Sequence, residues 1–452
     1  MSSDVSESRH ESSHKTLLTR ASINGGNSGI LAENVFVADW SPDGKQLAIV
    51  RELGSESVLE FPVGRVLYRS QGWISCVRVS RDGRDVALLE HPARDDDGGF
   101  VRIVSANRTT RILTPEWSSA DGLAWSPSGR EIWFTASKAG LNRNLYTVSR
   151  NGAVRKISNQ PSSLRLLDVS SNGRALLAID DARMILKTAV SGKESEISEF
   201  DFSHIDDMTQ DGKTLLFTES GDAGGLHYAA YVYDRSSRTA KRFGSGRALS
   251  LSPDGQQALT VDPQDRTALT ITKLGSGHAT RVPGSGFEYQ WAKFSQTGDL
   301  LVGGAYPGQP LMIAYQNIAT GTVAPVADAP YLDSVAISPD GTRIAGRVTD
   351  TTEIFDLSTK TVQRLPPGVH GTPVAWSANG KSLFLLTSDH SVYSIVEFST
   401  ATAKITSWKT IAPQDAATFM GLAGIAAAPN SDAYAYSAHL TLSRLYVVDG
   451  LS

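Results

Sequence analysis

Short apolar runs recur along the chain in one polar frame. Phe36-Val37-Ala38-Asp39-Trp40, Gly122-Leu123-Ala124-Trp125 and Val374-Ala375-Trp376 each lead into a turn of the form Ser-x-Asp-Gly or a degraded version of it. A second apolar run follows each turn, as at residues 47–50, 132–135, 215–218 and 383–386. A third alternating segment comes next, for example Leu145-Tyr146-Thr147-Val148 or Leu445-Tyr446-Val447-Val448, then a polar turn and a fourth strand-like segment such as residues 108–113 or 361–365. Runs this short, rich in β-branched and aromatic residues and bounded by Gly, Pro, Asp and Ser, predict strands. No window sustains a helical period over twelve residues.

The turn signature begins at Ser41, Ser80, Ser126, Ser170, Thr209, Ser252, Ser295, Ser338, Ser377 and Ala428, which is 387 residues over nine intervals, about 43 each. That period matches a four-stranded propeller blade and exceeds leucine-rich, ankyrin or tetratricopeptide units. The expected fold is therefore all-β: a β-propeller of about ten four-stranded blade repeats over residues 30–452, closed as one wide ring or two smaller ones. No linker divides the repeats. The last unit ends at its third strand, and Lys15-Thr16-Leu17-Leu18-Thr19-Arg20, inside a Ser- and Gly-rich tail over residues 1–29, is the spare segment expected to pair with it and remove an open edge.

The turns and the closing Leu445-Tyr446-Val447-Val448-Asp449 resemble TolB-like, WD-repeat-like bacterial propellers. The string from Leu59-Glu60-Phe61-Pro62 to Arg65-Val66-Leu67-Tyr68, the segment Ile132-Trp133-Phe134-Thr135-Ala136, residues 142–146 and residues 442–451 are further similar to the C-terminal propeller of acidobacterial-type serine/threonine kinases. The resemblance covers roughly residue 33 to the end. It implies a sensory or interaction role for the propeller, on either side of a membrane, here without a kinase sequence alongside.

Composition narrows the function classes. Of the 452 residues 40% are hydrophobic and 20% charged, with 43 Lys plus Arg against 47 Asp plus Glu for a net charge of -4. Without a basic block there is no electrostatic case for nucleic acid or an anionic membrane as partner. No run of 18 apolar residues occurs, and residues 1–29 lack the apolar core of a secretory signal, so the chain as written reads as cytoplasmic. The single cysteine, Cys76, excludes an internal disulfide and a cysteine metal cluster.

Individual motifs add little chemistry. His10-Glu11-Ser12-Ser13-His14 has the HExxH spacing but lies in a Ser-rich tail without a helix face or a third ligand. The sequence has no G-x-S-x-G elbow, and the glycine that a phosphate loop needs before Gly212-Lys213-Thr214 is Asp207. No cofactor or metal is expected. The breaks in the repeat alphabet are the loop Asp95-Asp96-Asp97-Gly98-Gly99, following His91-Pro92, and the loop from Glu219 through Asp222 to His227 and Tyr228. Together with Arg143 and Asn144 these are the candidate ligand-binding residues, since loops carry side chains free of packing duty. Arg65 and Tyr68 are weaker rim candidates. Trp40, Trp125, Trp291 and Trp376 recur near the turns and are expected to pack. Because inner-strand positions are mostly apolar, as at Val37, Val77, Leu123, Val335 and Val374, the expected function is a non-catalytic binding or sensor module for a protein, peptide or small molecule. The alternative is a propeller enzyme of lactonase, lyase or hydrolase type with a polar or calcium-containing centre.

Overall fold

The computed structural model describes residues 16–20, 29–53, 56–93, 96–158, 163–225, 227–284, 286–295, 298–328, 335–348, 351–366, 368–389, 392–412 and 417–450. Antiparallel strands dominate them, and a single 3-10 turn, Pro429–Ser431, is the regular helix among the described residues. Eight four-stranded blades run inward to outward in chain order, as the repeat predicts, and two further blades draw on the long strands Ala175–Val190 and Ala433–Val448. Blade 1 is Val35–Trp40, Leu47–Leu53, Glu56–Glu60 and Val66–Ser70, and blade 2 is Trp73–Val79, Asp85–His91, Phe100–Ser105 and Thr110–Ile112. Blade 3 is Ser119–Trp125, Glu131–Ser137, Asn144–Ser149 and Val154–Lys156.

The chain divides into two compact units. The first holds the described residues up to Asp181 and those from Leu442 onward. Its fourth blade is Ser163–Val169, the opening part of Ala175–Val190 and the closing part of Ala433–Val448. The second unit, Ala182–Thr441, has six blades with inner strands Ser203–Met208, Arg247–Leu251, Glu288–Phe294, Ala336–Ile337, Thr372–Trp376 and Phe419–Ala428. The last of these packs beside the first, with His204 Nε2 2.8 Å from the Ala423 carbonyl, so this unit closes on itself. Its closing blade takes its third strand from Ala182 to Val190 and its fourth from Lys193–Glu196. The spare N-terminal segment does not serve as the expected closing strand. Leu17–Arg20 pairs with Gly29–Glu33, leaving Lys15 outside the described residues.

Each signature turn joins the first and second strands of its blade. Ser41 Oγ donates to Asp43 Oδ1 at 2.6 Å and accepts from the Gln46 N–H, and the pattern repeats at Ser80 with Asp82, Ser252 with Asp254 and Ser338 with Asp340. The hydroxyl thus braces the turn, in the manner of local side-chain to backbone bonding. Apolar cores lie between neighbouring blades: Leu89, Trp117, Leu123, Trp125 and Phe134 join blades 2 and 3, and Leu259, Phe287, Tyr289 and Leu300 do the same in the second unit.

A second repeated device links blades through buried polar groups. Thr135, in the second strand of blade 3, accepts from the Leu166 N–H of blade 4 while donating to the Asp121 carbonyl of its own inner strand. Thr218 accepts from the Ala248 N–H, and Ser437 from the Ile205 N–H, at equivalent places in the second unit. Inner-strand carboxylates add to this, Asp39 accepting from the Val79 N–H and Asp207 from the Leu251 N–H. Burial raises the Asp39 carboxyl, with the Arg78 guanidinium opposing it.

The tryptophans do not share one environment. Trp125 and Trp376 are 4% and 6% exposed and donate their indole N–H to the neighbouring blade, at Arg78 O and Ala336 O. Trp291 is buried over Gly303, whereas Trp40 is 44% exposed and departs from the expected packing role. Replacing Trp125 or Trp376 by Ala should cost about 3 to 5 kcal/mol, the cost of a deleted core aromatic. Trp40→Ala should cost about 1 kcal/mol or less, and denaturant melts of the three variants check the ordering.

The turn carboxylates also set an acid limit. The hydroxyl bonds hold Asp43, Asp82, Asp254 and Asp340 below the usual 3.8. A lowered carboxyl contributes stability that is present above that value and disappears as pH falls through the folded-state value. The melting temperature of Ser252→Ala should therefore lie below that of the parent at pH 7, and the gap should narrow as pH is taken below the usual carboxylate value of 3.8.

Candidate functional site

Inner strands in both units carry a bulge at a recurring place, for example between Val35 and Val37, Ile74 and Val77, Ala120 and Leu123, Leu166 and Asp168, and Ile205 and Asp207. An extra residue in a strand re-aims side chains that would otherwise alternate into the packing faces. In blade 3 the bulge holds Asp121 and Gly122. Gly122 has φ +84, and a Cβ there would lie 2.4 Å from the Leu166 carbonyl of blade 4, so only glycine fits this approach.

Around that bulge the first unit gathers charged groups from three blades. Asp97 comes from the loop between the second and third strands of blade 2. Its Oδ2 accepts from Ser119 Oγ at 2.6 Å and lies 3.3 Å from Arg143 Nη1. Arg143 Nη2 is 3.9 Å from Asp121 Oδ2 and 3.7 Å from Asp180 Oδ2. Arg165, on the inner strand of blade 4, donates through Nε to Asp180 Oδ2 at 3.0 Å and lies 3.9 Å from Asp121. Ser443 donates to Asp180 Oδ1 at 2.6 Å. The backbone fixes the set: Leu164 N–H donates to the Arg143 carbonyl, and Ser163 pairs with Asp180 across blade 4.

Exposure divides the cluster into a covered and a less covered part. The Arg143, Arg165 and Asp180 side chains are 12%, 18% and 7% exposed, but Asp97 and Asp121 are each 35% exposed. The guanidiniums and Asp180 therefore lie behind, and Asp97 and Asp121, each about two-thirds covered, are the members that solvent reaches most. Desolvation pushes the Asp97 carboxyl up to about 6 even though Arg143 and Ser119 favour its ionised form; the neighbouring Asp96 and Asp121 charges add to the rise.

The sequence-predicted candidates separate accordingly. Asp97 and Arg143 meet in the cluster. Asp96 accepts from the Gly98 N–H at 2.6 Å and so shapes its own loop; Asp95 lies outside the described residues. Asn144 donates to the Asn142 carbonyl. In the second unit Glu219 is fully buried, accepting from Ser203 Oγ and the backbone N–H groups of Phe202 and Gly221, and burial raises its carboxyl. It is a structural anchor of the loop rather than an exposed group. Asp222 is exposed, His227 pairs with Asp262 at 3.1 Å on the surface, and Tyr228 is half-buried at φ 56. The weaker rim candidates also have structural partners, Arg65 on the Ala106 carbonyl and Tyr68 on Glu90.

Asp121, Arg165, Asp180 and Ser119 were not expected from the sequence. Their signal is a polar residue placed inside a strand of the repeat, Asp121 and Arg165 standing on inner strands described as apolar. That expectation is corrected by Asp39, Arg78, Asp121, Arg165 and Asp168, all on inner strands of the first unit. Among the described residues no group of three His, Cys, Asp or Glu is placed to share a metal ion.

No protein-family model and no curated protein matches the chain. Similar solved structures include TolB from Acinetobacter baumannii, with 17% identity, 72% of this chain and 79% of that chain covered and a TM-score of 0.33. An oligogalacturonate lyase in complex with manganese has 13% identity over 59% and 76% of the two chains and a TM-score of 0.34. The tricorn protease has 12% identity over 80% of this chain and 44% of its own, with a TM-score of 0.29. The propeller assignment rests on the blades themselves and on their repeat.

A carboxyl raised in the fold penalises stability as it ionises, so the Asp97 contribution is full below about pH 4 and declines as pH rises toward about 6. Asp97→Asn should remove that decline and leave a flatter stability profile over this window, read by chemical denaturation at each pH.

Proposed function

We propose that the chain is a recognition module whose first unit binds a basic side chain of a peptide or protein ligand. The carrying observation is the difference in exposure: two carboxylates are partly exposed while the two arginines beside them are largely covered. A fixed pair of carboxylates is a ready acceptor for a lysine or arginine, and charge-assisted bonds of this kind are stronger than neutral ones. Because Arg143 and Arg165 already orient Asp97 and Asp121, little ordering cost falls on the site when a ligand arrives. The resemblance of residues 59–68 and 442–451 to kinase-linked propellers supports an interaction or sensory role.

Calorimetry with short lysine- or arginine-containing peptides tests this. Asp121→Asn should weaken binding about tenfold or more, as expected for one lost charge-assisted bond. Affinity should also fall as pH drops below about 6 and Asp97 takes up its proton. Asp222→Asn and His227→Gln, in the second unit, should bind as the parent does. Equal affinity for acidic peptides, or an unchanged Asp121→Asn, would overturn the reading.

A further inference from the structure

Blade 2 contains a hydroxyl and an imidazole arranged in a way that the turn and blade framework does not require. Ser75 lies in the bulge of the inner strand Trp73–Val79 and is half-buried; its Oγ is 2.8 Å from His91 Nε2. The other ring nitrogen, Nδ1, is 3.1 Å from the Gly98 carbonyl. A carbonyl only accepts, so Nδ1 carries the proton, Nε2 is the acceptor, and the Ser75 hydroxyl donates to it.

The imidazole is held from every side. It is fully buried and stacked on Trp73, with ring centroids 3.9 Å apart and planes 16° from parallel. The Trp73 indole N–H donates to the carbonyls of Ala93 and Asp96 at 3.0 Å each, which fixes the indole that the imidazole stacks on. Gly99 lets that loop approach, since a Cβ there would fall 2.8 Å from Nδ1. The irregular Asp96-Asp97-Gly98-Gly99 loop thus cradles this histidine.

We propose that Ser75 and His91 form an acyl-transfer couple acting on a carboxylic ester, with the Gly98 carbonyl as the group that orients the base. Nucleophile, base and orienting acceptor are three of the parts this chemistry uses. Ser75 Oγ attacks the acyl carbon as its proton passes to His91 Nε2. The carbon–oxygen bond to the alcohol breaks, and the alcohol leaves with that proton. Water then repeats the sequence on the acyl-serine, so one ester and one water give one acid and one alcohol. The imidazolium formed in between faces the Gly98 carbonyl and the Trp73 ring, both favourable to a cation. The neighbouring Cys76 thiol is pushed up to about 11 by burial, so it stays protonated and does not compete.

This inference does not rest on the basic-ligand reading, and either can fail alone. The full chain is treated with a fluorophosphonate probe and, separately, with p-nitrophenyl acetate. Expected are a phosphonyl adduct mapped to the peptide bearing Ser75, its loss in Ser75→Ala, and a fall of about a hundredfold or more in labelling and ester cleavage in His91→Gln. Thermal melts identify any variant that fails to fold. Ser75→Cys supplies the independent arm: residue 75 should be alkylated by iodoacetamide much faster than Cys76. No adduct at Ser75 in the folded parent chain, undiminished labelling in a folded His91→Gln, or equal alkylation of the two thiols in Ser75→Cys would overturn the proposal.

Discussion

The innermost strands crowd toward the middle of each unit, and their bulges leave backbone groups without ladder partners. A buried N–H left unpaired costs roughly as much as a lost hydrogen bond with its desolvation. The chain answers with hydroxyls and carboxylates reaching from one blade to the next: Thr135 to Leu166, Thr218 to Ala248, Ser437 to Ile205, Asp39 to Val79 and Asp207 to Leu251. The apolar clusters between blades set how close the sheets come, but these bonds set their relative height. Both the charged cluster and the Ser75–His91 pair lie at bulges of this kind.

The fold was legible because one turn chemistry is used again and again. Ser-x-Asp-Gly specifies a hydroxyl brace, a carboxylate and a glycine at positive φ in four consecutive residues, so even degraded copies such as Ser170 with Asn172 keep the same bond. The partition into two units was not legible. Domain boundaries are sought in polar or Gly- and Pro-rich linkers, but here the chain passes between units inside the strands Ala175–Val190 and Ala433–Val448. Both strands run unbroken through the passage. The partner of Leu17–Arg20 was missed for a related reason: strand-like character says that a segment pairs, and its register against Gly29–Glu33 is set by geometry that no composition records.

The site was legible in part. Loop irregularity pointed to Asp97, and family-like strings to Arg143, but the same reasoning also selected Glu219, whose loop needs it as a buried acceptor. An acidic residue in a Gly-rich loop has the same appearance whether it faces solvent or supports the loop from inside. Asp121 and Arg165 escape a reading of strands for apolar alternation because a bulge shifts that alternation by one, and its one mark in blade 3 is a glycine, Gly122, in a sequence with 40 of them.

The two shared strands also govern when the polypeptide can mature. Both units wait for the same late stretch: in the second unit Thr188 donates to the Tyr434 carbonyl, 246 residues later, and in blade 4 of the first Asp180 waits for Ser443, 263 residues later. Through that interval the second strand of blade 4 has a bare edge at the ribosome, and an unpaired edge is the feature through which nascent chains join one another. The entropic penalty of so long a closure grows only slowly with length. Delay is thus the greater hazard, and the yield of this protein should respond more to chaperones that cover strand edges than to equilibrium stability.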